Sequence, residues 1–125
     1  MGKIRGIRGA ITVKADNPDL IKAATKELLL EIEKRNQLVV TDIAAVVFSA
    51  TPDLQSAYPA VAARELGWTT VPLFCLTEMA VSGALDKCIR VLILYNTDLD
   101  QEEVNHIYLR GAQILRPDLV GGYAD

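Results

Sequence analysis

The pattern of apolar and polar positions predicts a sheet built around one central strand. Residues 88–95 are a run of apolar and β-branched side chains interrupted by a single charge, Arg90, which is typical of a strand in the middle of a sheet. Because alternate side chains of a strand share a face, Arg90 lies on the same face as Cys88, Leu92 and Leu94. A guanidinium keeps its charge, so on a buried face it requires either a protein carboxylate or a bound anion.

Helical spacing of apolar residues predicts one long helix early in the chain. The capping sequence Asp16–Asp19 predicts its start, and apolar side chains recur once per turn to about Arg35. Asn36 is the expected left-handed stop. Leu29 and Leu30 widen the apolar stripe, and both are expected to join the core.

The remaining segments give the mixed α+β order β-α-β-α-β-β-β. We expect one domain over residues 1–125, in which one long and one short helix pack on a five-stranded mixed sheet. The tail, residues 120–125, is expected to be frayed. Further strands are predicted at residues 3–13, 43–50, 71–75 and 107–115, and the short helix at residues 60–66. One long helix can cover only one sheet face, so identical chains are expected to bury the other in a ring.

Composition restricts the partners that the chain could have. Of its 125 residues, 50% are hydrophobic and the formal net charge is −3, which does not favour binding to nucleic acid. No apolar run is long enough for a membrane span and the first residues lack a signal-peptide core, so a cytoplasmic protein is expected. Cys75 and Cys88 are then expected to be reduced thiols, a disulfide between them being the less favoured alternative.

Several arginines lie in or beside the predicted strands, among them Arg8, whose face neighbours are small. The planar guanidinium binds carboxylates well, so this distribution favours a small anionic ligand. His106 is the only histidine and no phosphate-binding glycine motif occurs, so a metal site, a cofactor or a histidine-activated nucleophile is unsupported. Two alternatives stay open: Arg8 as a solvated edge charge, and Arg90 with Glu78 as a purely structural ion pair.

Five short motifs occur in order along nearly the whole chain. They are IRGIRGA, SATPDL, EM, KCIRV and LRPDL, at residues 4–10, 49–54, 78–79, 87–91 and 115–119. Together they resemble the monofunctional chorismate mutases of the AroH class. The resemblance implies a cofactor-free [3,3] rearrangement of chorismate to prephenate, on the route to phenylalanine and tyrosine. It also implies a homotrimer with a pseudo-barrel core and active sites between subunits.

The resemblance implies roles for individual residues as well. The catalytic set would be Arg90, Glu78 and Arg8, with Arg90 donating to the ether oxygen of the breaking bond. Arg8 and Tyr108 would hold the side-chain carboxylate. Glu78 and Cys75 would meet the ring hydroxyl and the allylic fragment. The pocket wall would comprise Tyr58, Ala60, Arg64, Leu73, Phe74, Met79 and Leu115, with Arg116 and the tail closing its mouth.

Three departures from the family pattern concern the rim and wall of that pocket, and one is that the short-helix end, Leu66–Trp68, is a residue shorter than in some relatives. Val61 stands where relatives can carry a lysine, and Tyr58 replaces a phenylalanine. They bear on substrate affinity more than on the reaction. The alternative function is a non-catalytic trimeric module that binds small carboxylates at the clefts between subunits.

Overall fold

The computed structural model describes residues 2–120, with side chains up to residue 118. Fraying is predicted for the tail at residues 120–125, and residues 121–125 of it lie outside the described residues. The described strands are β1 (Lys3–Thr12), β2 (Ile43–Ala50), β3 (Leu73–Thr77), β4 (Cys88–Thr97) and β5 (Ile107–Leu109). The described helices are α1 (Pro18–Asn36), α2 (Ala60–Glu65) and α3 (Pro117–Val120), and 3₁₀ turns lie at Val40–Asp42, Gln101–Glu103 and Arg110–Leu115.

The strands form one mixed sheet in the order β3-β2-β4-β1-β5. β4, which carries Arg90, is central and runs antiparallel to β1 and β2, while β3 and β5 run parallel to their neighbours at the two edges. In this register Arg90 lies opposite Ala10 of β1 and Ser49 of β2, and Tyr108 of β5 also lies opposite Ala10. The prediction of a five-stranded mixed sheet with the Arg90 strand inside it is confirmed.

α1 covers one face of this sheet because its apolar side chains recur at helical spacing. Ile21, Leu28 and Ile32 are fully buried in a core that also takes in the inward-facing side chains of β1, β2 and β4. Leu29 joins this core as predicted. Leu30 is 49% exposed, so the prediction for this residue is wrong. No helix within residues 2–120 is both long enough and apolar enough to cross a membrane.

α1 packs tightly against the sheet at Gly9 of β1. A Cβ built at Gly9 would lie 2.9 Å from Ile32 Cδ1, 3.1 Å from the Ile107 carbonyl oxygen and 3.2 Å from Leu28 Cδ1. The helix and the neighbouring strand therefore leave no room for a larger side chain here.

The other face of the sheet is largely open in the single chain. Phe74, Leu76 and Leu92 lie on it and are 63%, 50% and 38% exposed, because α1 packs on the opposite side. A small apolar cluster covers one part of this face, and it is made by Ala10, Cys88, Tyr108 and Ala112 with Leu85 and Leu115. An apolar face of this kind is typical of an interface with another protein surface.

α2 is short, packs through its buried alanines Ala60, Ala62 and Ala63, and is ion-paired to α1 at its exposed end. Lys22 Nζ and Lys26 Nζ lie 3.2 Å and 2.7 Å from the two carboxylate oxygens of Glu65, and these lysines lower the pKa of Glu65. Gly67 follows the helix with a φ of +95°, a conformation that glycine adopts without strain. Arg64 is exposed and has no carboxylate within 4 Å among residues 2–118.

β5 is much shorter than the strand predicted at residues 107–115, so that prediction is wrong beyond Leu109. At Arg110 the φ angle is +54° and the chain enters a 3₁₀ turn. The pairing partner β1 ends at Thr12, whose Oγ1 accepts from Gly111 N and whose carbonyl oxygen accepts from the Arg110 side chain. β1 therefore offers no further backbone for pairing.

β3 begins and ends two residues later than predicted. Pro72 has no N–H, and it contributes only its carbonyl oxygen, which accepts from Val46 N at 2.9 Å. Ladder pairing consequently starts at Leu73. β3 lies at an edge of the sheet, a position that tolerates a proline beside it.

The end of α1 also differs from the prediction. Asn36 remains helical, and the left-handed residue is Gln37, with a φ of +48°. The Asn36 side chain donates to the carbonyl oxygens of Ile32 and Asn105. These contacts tie the helix end to the segment that precedes β5.

Candidate active site

A cavity of about 230 Å³ lies on the open face of the sheet, at its centre. Four adjacent strands supply polar side chains to it: Ser49 from β2, Arg90 from β4, Arg8 from β1 and Tyr108 from β5. The strand register brings them together, because cross-strand neighbours share a face. Two arginines and a phenol in one apolar recess suit an anion that carries carboxylates.

Arg90 is paired with Glu78 at the edge of this cavity. Arg90 Nε lies 3.6 Å from Glu78 Oε1, which is the distance of an ion pair rather than a hydrogen bond. Ser49 Oγ donates to the same oxygen at 2.6 Å. The Arg90 side chain keeps 44% of its surface exposed in the single chain.

Cys88 lies beneath Arg90 and is 2% exposed. Burial raises the pKa of the Cys88 thiol to about 11, although the Arg90 guanidinium acts in the opposite direction. The residue is therefore a neutral thiol at physiological pH and not a nucleophile. Both cysteines are free, as predicted.

Side chains from the segment before β5 fix the backbone of β1 around Arg8. His106 Nδ1 accepts from Arg8 N at 2.9 Å, and the Gln101 amide pairs with both the N–H and the carbonyl of Gly6. Burial lowers the pKa of His106, and the charges of Arg8 and Arg116 lower it further. A neutral imidazole is the state that can accept this hydrogen bond.

The loop after β2 fixes the start of β4. Thr51 Oγ1 accepts from Cys88 N at 3.0 Å, and the Asp53 carboxylate accepts from Lys87 N. Lys87 has a φ of +46°, an uncommon conformation for a residue with a side chain. These contacts hold the backbone just before Arg90.

Among the described residues, no group of three or more His, Cys, Asp or Glu side chains could hold a metal ion.

A family model described as chorismate mutase type I matches residues 4–119. The chain belongs to this family. It is 52% identical to chorismate mutase AroH of Thermus thermophilus over 117 residues, covering 93% of this chain and 96% of that protein. It is 48% identical to chorismate mutase AroH of Bacillus subtilis (strain 168) over 117 residues, covering 93% and 92%. A solved chorismate mutase from Clostridium thermocellum matches with a TM-score of 0.86 and 46% identity, covering 87% of this chain and 97% of that chain.

The resemblance drawn from the five motifs is thus confirmed. This member of the chorismate mutase family brings one group of the residues predicted for the site together. Arg8, Arg90 and Tyr108 line the central cavity, and Glu78 contacts Arg90. Leu115 packs against the apolar cluster that contains Tyr108, and Arg116 pairs with Asp118 at 2.9 Å.

A second group lies elsewhere in the chorismate mutase chain. Tyr58, which is 71% exposed, and Cys75 line another cavity, of about 480 Å³, which shares no lining residue with the first. Met79, 79% exposed, lines a third cavity of about 290 Å³. The others are scattered: Ala60 is buried in the main core, Leu73 is partly buried against it, and Arg64 and Phe74 are exposed.

Sequence reasoning assigned no role to Ser49, Thr51, Asp53 or His106, although the first three lie in the quoted SATPDL motif. Hydroxyl and carboxylate side chains in a turn motif often bind backbone groups nearby. That signal favours local contacts within the turn. It could not indicate that the partners are Lys87, Cys88 and Glu78, which are distant in the sequence.

Proposed function

We propose that this family member is a catalytically active chorismate mutase, which rearranges chorismate to prephenate in phenylalanine and tyrosine biosynthesis. The observation that carries the proposal is the cavity lined by Arg8, Arg90 and Tyr108 in a chain that matches the family from residue 4 to residue 119. The substrate is a dianion that reacts within itself. The reaction therefore needs charge stabilisation and a fixed conformer, but no nucleophile and no cofactor.

Arg90 supplies the main charge stabilisation in this proposal. The bond to the ether oxygen breaks ahead of new carbon–carbon bonding, so negative charge builds on that oxygen. A guanidinium on the central strand can donate to the ether oxygen and to a neighbouring carboxylate together. The position of Arg90 supports this role, since β2 and β1 flank it on both sides and preorganised donors need no rearrangement during reaction.

Glu78 supplies the opposite charge. As the ether bond breaks, the ring fragment gains positive character, which a nearby carboxylate favours. Glu78 is 26% exposed, so solvent screens its charge less than that of a surface carboxylate.

Arg8 and Tyr108 hold the side-chain carboxylate, so that the substrate keeps its reactive folded conformer. Both lie on strands paired with each other, and no carboxylate among the described residues lies within 4 Å of the Arg8 guanidinium. The charges of Arg8 and Arg116 both lower the pKa of His106, which supports a place for Arg116 at the same site. It serves at the mouth of the pocket, where it captures substrate.

We further propose a homotrimer, with a pseudo-barrel core and active sites in the clefts between subunits. Two features support it. The sheet face that carries Arg90 exposes the apolar side chains of Phe74, Leu76 and Leu92 in one chain, and the second group of predicted site residues lies away from the first. A neighbouring chain placed on the open face would bring its own Tyr58, Arg64 and Cys75 towards Arg90.

A cytoplasmic location follows from the biosynthetic role.

The alternative function, a non-catalytic carboxylate-binding module, is not favoured by the family match. The test is the disappearance of chorismate, followed by ultraviolet absorbance with purified protein at a fixed concentration. Saturable, enzyme-dependent conversion to prephenate is expected. Binding of chorismate without conversion would support the module instead.

A further inference from the structure

We propose that Ser49 is a positioning residue that orients Glu78 for the rearrangement, an inference that rests on the proposed function. Ser49 Oγ donates to Glu78 Oε1 at 2.6 Å, a short distance typical of a hydrogen bond to a charged acceptor. Arg90 Nε lies 3.6 Å from the same oxygen. The hydroxyl, and not the guanidinium, therefore makes the closer contact with this carboxylate.

The position of Glu78 in the chain explains why it needs such a contact. Glu78 directly follows β3, and its backbone N–H donates to the Ala50 carbonyl oxygen at 2.9 Å. The next residue, Met79, is 79% exposed, and residues 79–87 contain no helix or strand. The backbone is thus held from one side only, and a glutamate side chain has several rotamers open to it.

Ser49 offers a fixed point for that side chain. It lies near the end of β2, an interior strand, where it pairs with Leu76 of β3 and with Arg90 of β4. Its backbone is therefore constrained by ladders on both sides. The hydroxyl, moreover, carries no net charge, so it holds the carboxylate without competing with Arg90 for the anionic substrate.

The contact matters most while substrate is bound. When Arg90 donates to the ether oxygen and a carboxylate of the substrate, its attraction to Glu78 is shared with those groups. Ser49 continues to hold Oε1, which keeps the carboxylate beside the ring fragment as positive charge develops there. Loss of the hydroxyl should accordingly reduce turnover more than substrate binding.

The experiment compares kcat and KM for chorismate in the unmodified protein, Ser49→Ala, Ser49→Thr, Glu78→Ala and the double variant Ser49→Ala/Glu78→Ala. Ser49→Ala should lower kcat about tenfold and change KM less than about threefold. Ser49→Thr, which keeps the hydroxyl and suits a strand, should stay within about threefold of the unmodified kcat. In the Glu78→Ala background, the second change should lower kcat less than about twofold, because no carboxylate remains to be oriented.

Thr97→Ala is the matched control, because it removes a hydroxyl that accepts from Leu99 N at the far end of β4. Its kcat should stay within about twofold of the unmodified value. A Ser49→Ala protein with an unmodified kcat would overturn the role of Ser49. So would an equal loss in the Glu78→Ala background, since a merely structural residue would act there too. An unmodified protein that leaves chorismate unchanged would instead overturn the proposed function, and the role of Ser49 with it.

Discussion

At the scale of single residues, the shape of the Arg90 guanidinium should matter more than its charge. Arg90→Lys keeps the charge but offers a compact ammonium, which cannot bridge the ether oxygen and a carboxylate together. We expect kcat to fall about 10²- to 10³-fold, the usual cost of losing one preorganised donor. The thermal midpoint should change little, because the side chain is 44% exposed. Near-normal turnover by the purified variant would remove Arg90 from its proposed role.

Arg116 should act on substrate capture. Its side chain is 35% exposed and pairs with Asp118 two residues away, an arrangement that contributes little to stability. Arg116→Ala should therefore raise KM several-fold and leave kcat within about twofold. Steady-state kinetics over a range of chorismate concentrations distinguish the two parameters. A lower kcat at unchanged KM would contradict this assignment.

His106 should make the stability of the protein depend on pH. Burial lowers its pKa in the folded chain, so the unfolded chain, with a pKa near 6.5, binds the proton first as the pH falls. The free energy of unfolding should be steady above about pH 6.5 and should decrease as the pH falls below it, since a protonated Nδ1 cannot accept from Arg8 N. Urea unfolding at one protein concentration measures this change.

The control for that measurement is His106→Gln. His106 is the only histidine in the chain, and the carboxylates titrate at lower pH. The variant should lose the pH dependence that the unmodified protein shows just below about pH 6.5. If its unfolding curve shifted with pH as much as that of the unmodified protein, another group would be responsible.

At the scale of elements, the contact between α1 and β1 sets a limit on residue size. Gly9→Ala would place a methyl group 2.9 Å from Ile32 Cδ1 and 3.1 Å from a backbone carbonyl oxygen. We expect a loss of about 1–3 kcal/mol in the free energy of unfolding, as for other overpacked sites. Gly6→Ala is the matched control on the same strand, because its nearest neighbour would lie 3.5 Å away. Equal effects of the two substitutions would show that packing against α1 is not the cause.

The same scale shows where hydrophobic pattern ceases to predict an element. The run from Ile107 to Leu115 has the residue types of a strand, yet pairing needs a partner, and β1 ends at Thr12. Leu30 has the right residue type for the core but lies on the outer side of α1. Neither the end of a neighbouring strand nor the orientation of a helix on the sheet is encoded locally.

At the scale of the whole molecule, the open sheet face should drive assembly and, through it, activity. Leu76→Asp places a charge on that face at a residue that is 50% exposed. We expect the sedimentation mass to change from about three times the 13.6 kDa of one chain towards a single chain, because burying an unpaired carboxylate at an interface is costly. Chorismate turnover should fall with it.

Leu30→Asp is the matched control for assembly, because Leu30 is 49% exposed on the opposite side of the sheet. This variant should keep the mass and the turnover of the unmodified protein. A Leu76→Asp protein that keeps the trimer mass, or an unmodified protein that sediments as a single chain, would contradict the proposed assembly.

The sequence by itself determined the strand and helix order, the long helix with its buried stripe, and the family, because these depend on local spacing and on short motifs. It also predicted that Arg8, Arg90 and Glu78 belong to one site. Only the tertiary structure decided which other residues contact these three and the backbone around them. Ser49 reaches Glu78, His106 accepts from Arg8 N, and Asp53 holds Lys87 because strand register brings distant segments together. Such contacts follow from the pairing of whole strands, which no stretch of residues specifies alone.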